Sequence, residues 1–272
     1  MLDFLVSLHE QGLSYATINT ARSALSAVIL PTDNVNIGSH PIVSRFMKGI
    51  YKSNPPMPRY RTTWDVNLAL SYLSSLSKPT ESSLKSLTLK LTMLIALVSA
   101  QRGQSLHMLD IQFMKEGDNF FEFALPEDIK QSRPGYKVPT VLLQAYPEDQ
   151  SLCVFTHLKE CLQRTKPLRG TETKLFVSHV KPHHRASKDT ISRWIRSVMA
   201  DAGVDVNTFK PHSTRAAAAS KAKNVSVPIK EILDTAGWSS ERTSHRFYNK
   251  PFQGNGGFAT SVSLKRMHFT NP

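Results

Sequence analysis

The chain contains few cysteines, few acidic residues and no long apolar run. Cys153 and Cys161, the two cysteines among its 272 residues, are too few for a secreted disulfide scaffold, and their eight-residue spacing in a predicted helix favours buried or free thiols. The most apolar stretch, residues 84–100, is interrupted by two lysines and several hydroxyl side chains, so it does not predict a membrane span. The amphipathic first residues do not predict a secretory signal. We therefore expect an intracellular protein that is neither secreted nor bound to a membrane.

Positive charge is what the sequence has in excess. Its 34 lysines and arginines stand against 21 acidic residues, which gives a formal net charge of +13 and a pI of about 9.8. The basic residues are spread through the chain rather than collected in a tail. A folded domain of this kind most often binds a polyanion, and nucleic acid is the commonest one. The alternative is a soluble basic protein that binds no polyanion.

The chain divides at a proline-rich linker. Residues 1–55 predict three helices from their apolar spacing. The stretch KSNPPMPRYRTT, residues 52–63, combines prolines with basic residues and is typical of a linker, which places a domain boundary near residue 56. We expect residues 1–55 to be a partial helical domain, because they are few for an independent core, and residues 56–272 to be a second domain.

Most of the second domain has helical periodicity, with three short segments that predict strands. These segments are residues 107–114, 119–125 and 137–143, and the sequence KEGD between the first two is a turn signal. Helices are predicted around them, beginning with one that Thr63 caps. The predicted fold is therefore mainly α with a small antiparallel β-sheet (α+β).

The stretch PHSTRAAAASKA, residues 211–222, places two functional side chains one helical turn apart. Arg215 offers a phosphate a bidentate donor that keeps its charge. His212, at a helix N-terminus, can donate to that phosphate or accept a proton. The alanines that follow allow the helix to pack closely against a neighbour. We interpret the pair as binding a scissile phosphate.

Other residues that suit the same chemistry lie on both sides of this pair. Arg102 follows an apolar helix and provides a second guanidinium. Lys130 lies between two predicted strands, where it can protonate a leaving 5′ oxygen, and Lys137 on the same hairpin is the alternative. Trp238 follows a glycine at a predicted helix end. Tyr248 carries a phenol, which is a better nucleophile near cations than a serine hydroxyl.

In their order and separations, these residues resemble the active-site set of the tyrosine recombinases, the phage integrase superfamily. The set comprises Arg102, Lys130, His212, Arg215, Trp238 and Tyr248. Residues 1–55 are similar to part of the family's helical core-binding domain, and residues 56–272 to its catalytic domain with a C-terminal exchange tail. The sequences KQSRPG, GWSS and RFYNKP are similar to recombinases of DIRS-like and Ngaro-like retrotransposons.

The resemblance implies a site-specific recombinase or integrase, encoded by a mobile element, that cleaves and rejoins DNA through a 3′-phosphotyrosine. It implies that the two arginines and Trp238 bind the phosphate, that Lys130 and His212 transfer protons, and that Tyr248 is the nucleophile. No metal, cofactor or ATP is implied. The partners would be double-stranded DNA and further copies of the chain, joined in a tetramer by a tail around residues 258–264. The compartment would be the nucleus in a eukaryote and the cytoplasm or nucleoid in a prokaryote.

Further basic and aromatic residues are predicted to contact DNA. They lie in the linker, in the hairpin that carries Lys130 and on one face of a helix that Ser187 caps. They are Arg59, Arg61, Arg133, Tyr136, Lys137, Lys188, Arg193 and Arg196. A solvated face is the alternative for the helical residues, and Tyr136 is also a competing candidate for the nucleophile.

Two departures from the family pattern keep other functions open. Ser105 stands where the family commonly has an acidic residue, and Tyr248 lies one residue beyond the usual nucleophile position, which here is Phe247. One alternative is therefore a recombinase-derived DNA-binding protein with weak or no catalysis. The other is an enzyme like the type IB topoisomerases, against which the exchangeable tail argues.

Overall fold

A computed structural model of the protein describes residues 1–29, 36–55, 60–126, 140–238, 241, 250 and 252. The chain forms two compact units, Met1–Arg59 and Tyr60–Pro272. The assignment of a DNA-binding role to the first unit and a catalytic role to the second stays a prediction. Within the described ranges, none of the helices has both the length and the apolar composition that crossing a membrane requires.

The described part of the first unit is helical. Its helices are α1 (Leu2–Glu10), α2 (Tyr15–Val28) and α3 (Pro41–Ser53). Ser14 caps α2, since its side chain accepts a hydrogen bond from Thr17 N at 3.2 Å. One apolar side chain from α1, one from α2 and three from α3 form a small buried core: Leu5, Ile18, Val43, Met47 and Ile50.

The second unit is mostly helical and contains a small sheet, so the predicted fold class is confirmed. Its elements are α4 (Val66–Ser75), α5 (Leu84–Ser99), α6 (Gly103–Met108), β1 (Met114–Glu116), β2 (Phe120–Ala124), β3 (Thr140–Gln144), α7 (Val154–Thr165), α8 (Lys188–Asp201), α9 (Thr214–Asn224) and α10 (Ile229–Ala236). Helix α5 is buried along most of its length and packs against α7, α8, α9 and β3. It ends at Ala100, whose φ of 47° turns the chain away from the helix.

The described strands form one antiparallel sheet in the order β1-β2-β3. The registers of β2 and β3 place Phe121 opposite Leu143 and Phe123 opposite Val141, and all four side chains are buried. The alternating pattern of strand residues thus turns one face of the sheet toward the core.

Two local predictions about the second unit are wrong. The strand predicted at residues 107–114 begins only at Met114, because the preceding residues form a short 3₁₀ helix that Asp110 caps: its Oδ1 accepts from Gln112 N at 2.9 Å. Asp110 also accepts from the Thr173 hydroxyl at 2.9 Å, a distant partner that local pattern does not reveal. Thr63 does not cap α4; the Asp65 side chain does.

The two cysteines lie at α7 and are free, buried thiols, as predicted. Cys153 is the N-cap residue of the helix rather than part of it. Burial raises the pKa of Cys161 to about 11.

Two titratable side chains are buried where α5 meets α7. Lys90 is 1% exposed, and its Nζ makes no hydrogen bond to any residue that the structure describes. Burial lowers the pKa of Lys90, and Asp149 partly opposes this shift. Burial also lowers the pKa of His157, whose Nδ1 donates to Cys153 O at 2.8 Å. Both groups therefore bind a proton less readily in the folded chain than in the unfolded one.

Lys90→Met is expected to stabilise the protein, because methionine fills a similar volume without placing an ammonium in the core. Replacing buried charge by apolar atoms is often worth about 1–4 kcal/mol, and each kcal/mol raises Tm by about 2–4 °C in a chain of this size. Thermal unfolding measures the change. Lys85→Met, an exposed substitution on the same helix, should leave Tm unaltered. A lower Tm for Lys90→Met would show that the ammonium is stabilising.

Lys90 and His157 each contribute a pH dependence of the same sign. In the window between each lowered pKa and the unfolded value, about 6.5 for histidine and 10.4 for lysine, the unfolded chain binds more protons. The contribution of each group to the free energy of unfolding therefore rises with pH through its window, whereas Cys161, whose pKa is raised, contributes a fall above about pH 8.5. Denaturant titrations of the wild type and Lys90→Met from about pH 5 to 10 isolate the lysine: in the alkaline range, the free energy of unfolding of the wild type should gain relative to that of the variant as the pH rises.

Candidate active site

A short 3₁₀ helix, Pro211–Ser213, leads directly into α9 and sets the positions of His212 and Arg215. Proline begins it with a suitable φ, and the Thr214 hydroxyl donates to Pro211 O at 2.7 Å. His212 is exposed, whereas Arg215, three residues later, is buried. The predicted pair is thus present at the start of the helix, with one member facing outward and the other inward.

The guanidinium of Arg215 is held by two groups from the end of α10. Its Nη2 donates to Ala236 O at 2.5 Å, and its Cζ lies 4.8 Å from the centroid of the Trp238 ring. The residue is 3% exposed. A guanidinium stays protonated under these conditions, so the arrangement keeps a full positive charge in a region that water screens poorly.

The position of Trp238 depends on the backbone turn at the glycine that precedes it. Gly237 has a φ of 61° and ends α10, and Trp238 N then donates to Leu233 O at 2.8 Å. The indole is 7% exposed and packs in a cluster with Ala100, Ala219 and other apolar residues. A side chain at position 237 would be strained at this φ, so the Gly-Trp step fixes the ring over Arg215.

The residue before Arg102 is hydrogen-bonded to the same end of α10. Gln101 Nε2 donates to Thr235 O at 2.8 Å, next to the Ala236 carbonyl that binds Arg215. Arg102 itself is half-buried, has an extended backbone and precedes α6. The structure therefore joins the segments that carry Arg102, Arg215 and Trp238 at one helix end.

Ser105, where the resemblance leads one to expect an acidic residue, is buried within α6. This helix packs against α8. The His107 ring beside it contacts Ala186 O through Nδ1 at 3.0 Å. The serine thus occupies a packed position in which an acidic side chain would have to be desolvated.

Several predicted site residues lie outside the described residues. These are Lys130, Tyr248, Arg59, Arg133, Tyr136 and Lys137. The chain is described again just after Tyr248: Lys250 N donates to the Ser220 hydroxyl of α9 at 3.2 Å. Phe252 is buried and pairs with Thr63.

The remaining predicted DNA contacts divide into exposed residues and one that is bound within the protein. Arg61, Lys188 and Arg193 are exposed. Arg196 is partly buried, and its Nη1 donates to Val206 O at 2.9 Å. The predicted basic face of α8 is therefore exposed to solvent in the N-terminal half of the helix.

Sequence analysis missed two aromatic residues that contact the His212 turn. The Tyr60 ring centroid lies 5.7 Å from that of His212, and the Trp64 indole donates to the buried Ser213 hydroxyl at 3.0 Å. Both follow the proline-rich linker, and no spacing pattern connects them with a turn about 150 residues later. An aromatic pair at a predicted domain start was the only available signal.

Among the described residues, no group of three or more His, Cys, Asp or Glu side chains is arranged to hold a metal ion. The cationic side chains already described are the charged groups of the site. What the arrangement offers chemically is a fixed set of donors for an anionic oxygen.

Comparisons with known proteins identify the family and the fold. Residues 68–254 match the model of the phage integrase family. A search of curated proteins found no significant match. Among solved structures, the fold is similar to the XerH site-specific recombinase bound to difH DNA, with a TM-score of 0.60, 16% identity and coverage of 89% of this chain and 66% of that one.

Two further structures share the fold. The Tn1549 transposon integrase in complex with circular intermediate DNA gives a TM-score of 0.56 at 13% identity, covering 97% of this chain and 82% of that chain. A lambda integrase tetramer bound to a Holliday junction gives 0.53 at 17% identity, covering 94% and 65%. The chain thus spans about two thirds of the XerH and lambda integrase chains. Because the family model matches well over half of its length, the chain belongs to the phage integrase family.

Proposed function

We propose that the protein is a DNA strand transferase, a site-specific recombinase or integrase that cleaves and rejoins DNA through a 3′-phosphotyrosine on Tyr248. The observation that carries this proposal is the buried guanidinium of Arg215, fixed by Ala236 O and the Trp238 ring beside the segment of Arg102. Such a preorganised cation suits a phosphodiester, whose transition state gains negative charge on the non-bridging oxygens. The net charge of +13 supports DNA as the source of that phosphodiester.

The proposed reaction exchanges one phosphodiester for another. The Tyr248 phenol oxygen attacks the phosphorus and the bond to the 5′ oxygen breaks. Lys130 gives a proton to the leaving 5′ oxygen, which becomes a hydroxyl, and His212 accepts the phenolic proton. Arg102 and Arg215 bind the non-bridging oxygens. Rejoining is the reverse reaction, so the phosphoester bond is conserved and no ATP is consumed.

The described chain after Tyr248 supports its role as the nucleophile. Lys250 is bonded to Ser220 of α9, the helix that begins at the Arg215 turn. One residue separates Tyr248 from Lys250 in the sequence, and two steps of extended chain span at most about 7 Å. This short connection supports the proposal that Tyr248 acts beside the helix that carries the phosphate-binding arginine.

We assign residues 56–272 as the catalytic domain and residues 1–55 as part of a DNA-binding domain. Exposed Arg61, Lys188 and Arg193 supply charge for phosphate contacts on the catalytic unit. The similarity to DNA-bound structures of XerH and the Tn1549 integrase supports duplex DNA as the partner. The transposon origin of the second protein supports a mobile element as the source of this chain.

A tail exchange between copies would build a tetramer on two DNA sites. The second unit has a groove of about 830 Å³ formed by parts of β3, α5 and α10. Exposed Val98 and Leu142 give it an apolar surface, and Glu231 and Asp234 also line it. Residues 258–272, outside the described residues, combine apolar side chains with Lys265 and Arg266. This composition is complementary to the groove in both hydropathy and charge.

Tyr248→Phe should abolish covalent capture of DNA, because it removes the attacking oxygen and little else. A nicked duplex carrying the terminal sequences of the encoding element traps the adduct, which a denaturing gel detects. Tyr136→Phe serves as the matched control and should still form the adduct. An adduct that still forms with Tyr248→Phe would contradict the assignment of Tyr248 as the nucleophile. A wild type without any adduct favours a DNA-binding role, and relaxation of supercoils without exchange favours a topoisomerase.

Arg215→Lys should slow adduct formation by about 10²- to 10³-fold, the usual effect of losing one transition-state donor. Lysine keeps the charge but cannot reproduce the planar, multidentate geometry. Arg215→Ala and Arg102→Ala should be at least as slow, with the fold retained by circular dichroism. Lys230→Ala removes a charge from the exposed face of α10 and should cleave normally. Turnover at the wild-type rate in Arg215→Lys would contradict the role.

Removal of residues 258–272 should stop assembly at complexes smaller than a tetramer on DNA, because the apolar and basic tail is lost. Mass photometry on DNA carrying two sites counts the copies. The double substitution Glu231→Lys with Asp234→Lys should weaken assembly in the intact chain by opposing Lys265 and Arg266. Tetramers formed equally well by the truncated chain would exclude tail exchange as their basis.

A further inference from the structure

Tyr60, the first residue of the second unit, contacts the His212 turn in three ways. Its hydroxyl accepts from Lys210 N at 3.3 Å. Its ring centroid lies 5.6 Å from that of Phe209 and 5.7 Å from that of His212, with a tilt of 37° between the latter rings. The tyrosine is only partly buried and His212 is exposed. Phe209 belongs to the buried core, so Tyr60 lies between the edge of the core and the exposed His212.

The neighbours of Tyr60 fix the other end of the same turn. Trp64 is 2% exposed, and its indole donates to Ser213 at 3.0 Å. The turn itself is a 3₁₀ helix of three residues, and such short segments have poor internal hydrogen-bond geometry. The orientation of His212 therefore depends on contacts made from outside the turn, and residues 60–64 supply them on both sides.

The same segment also binds the chain that follows Tyr248. Lys250 Nζ donates to Tyr60 O and lies 5.6 Å from the Tyr60 ring centroid, a cation–π distance. Burial lowers the pKa of Lys250. Three residues further along the segment, Thr63 pairs with Phe252. Residues 60–64 thus join two parts of the site that are separate in sequence.

We propose that Tyr60 is a positioning residue: its ring orients the His212 imidazole, while its carbonyl and ring hold Lys250 and so the chain leaving Tyr248. This inference rests on the proposed function, since only there do His212 and Tyr248 have chemical roles. Tyr60 thereby fixes the position of the proton-transfer group relative to the segment that follows the nucleophile. Misplacement of a catalytic group by about 1 Å costs about 10²-fold in rate.

The first test compares three substitutions in the full chain. Tyr60→Leu should slow adduct formation on the nicked duplex by about 10- to 100-fold at saturating DNA, with DNA affinity unchanged. Tyr60→Phe retains the ring and should stay within about threefold of wild type. Tyr72→Leu is the matched control, because Tyr72 is a partly buried tyrosine of α4 that packs against the core away from the site. Equal rates for Tyr60→Leu and Tyr72→Leu would overturn the proposal.

A double-mutant cycle separates positioning from loss of stability. The effect of Tyr60→Leu should be smaller in a His212→Gln background, because the part that acts through His212 is lost and only the part that acts through Lys250 remains. A purely structural role predicts the same loss in both backgrounds, and that result would contradict the proposal.

A measurement that needs no catalysis distinguishes failure of this inference from failure of the proposed function. In protein labelled at histidine Cε1, the His212 resonance is assigned from its disappearance in His212→Gln. It should move in Tyr60→Leu, because the ring current of Tyr60 is lost, and stay in place in Tyr72→Leu. An absent adduct in the wild type rejects the proposed function. An unmoved His212 resonance in Tyr60→Leu rejects the positioning role, whatever the wild type does with DNA.

Discussion

The site depends on one buried charge, the guanidinium of Arg215. Burying an ion without partners is costly, and here the Ala236 carbonyl and the face of Trp238 offset that cost. A hydrogen bond from a charged donor is among the stronger ones in proteins, and the indole adds a cation–π contact. Because both partners come from the end of α10, the start of α9 and the end of α10 are held in one relative position. The direction in which the cation faces is thereby fixed by the fold itself.

Small residues and left-handed turns make that arrangement possible. Alanines at 216, 217 and 219 are buried and let α9 lie close to α5 and α10. Gly237 turns the chain so that Trp238 returns over α9. Ala100 makes a comparable turn at the end of α5 and leads to Gln101, which is bonded to Thr235. Bulkier side chains on α9 would separate these elements and remove the partners of the guanidinium.

The helices could be predicted from the sequence, and so could residue types that suit a phosphate site, because both leave local signals. Periodic apolar residues mark α2, α5 and α8, and the residue types of a phosphate site are distinctive in themselves. Predictions failed where a distant partner decides the local structure. Asp110 caps a 3₁₀ helix and binds Thr173, so the strand predicted there begins later. Tyr60 contacts a turn about 150 residues away, and its sequence neighbourhood indicates only a linker.

The described part of the second unit buries three cationic side chains, Lys90, Arg169 and Arg215. A comparison of Lys90 with Arg215 shows why a guanidinium suits a phosphate better than an amine does. Lys90 lies in the core between α5 and α7, where burial lowers its pKa. An amine can reduce the cost of burial by losing its proton, which would also remove the charge that a phosphate needs. A guanidinium keeps its proton under the same conditions. It must therefore be given partners, and the carbonyl and indole around Arg215 are those partners. A charge that cannot be lost, held in a region of low screening, is what an anionic transition state requires.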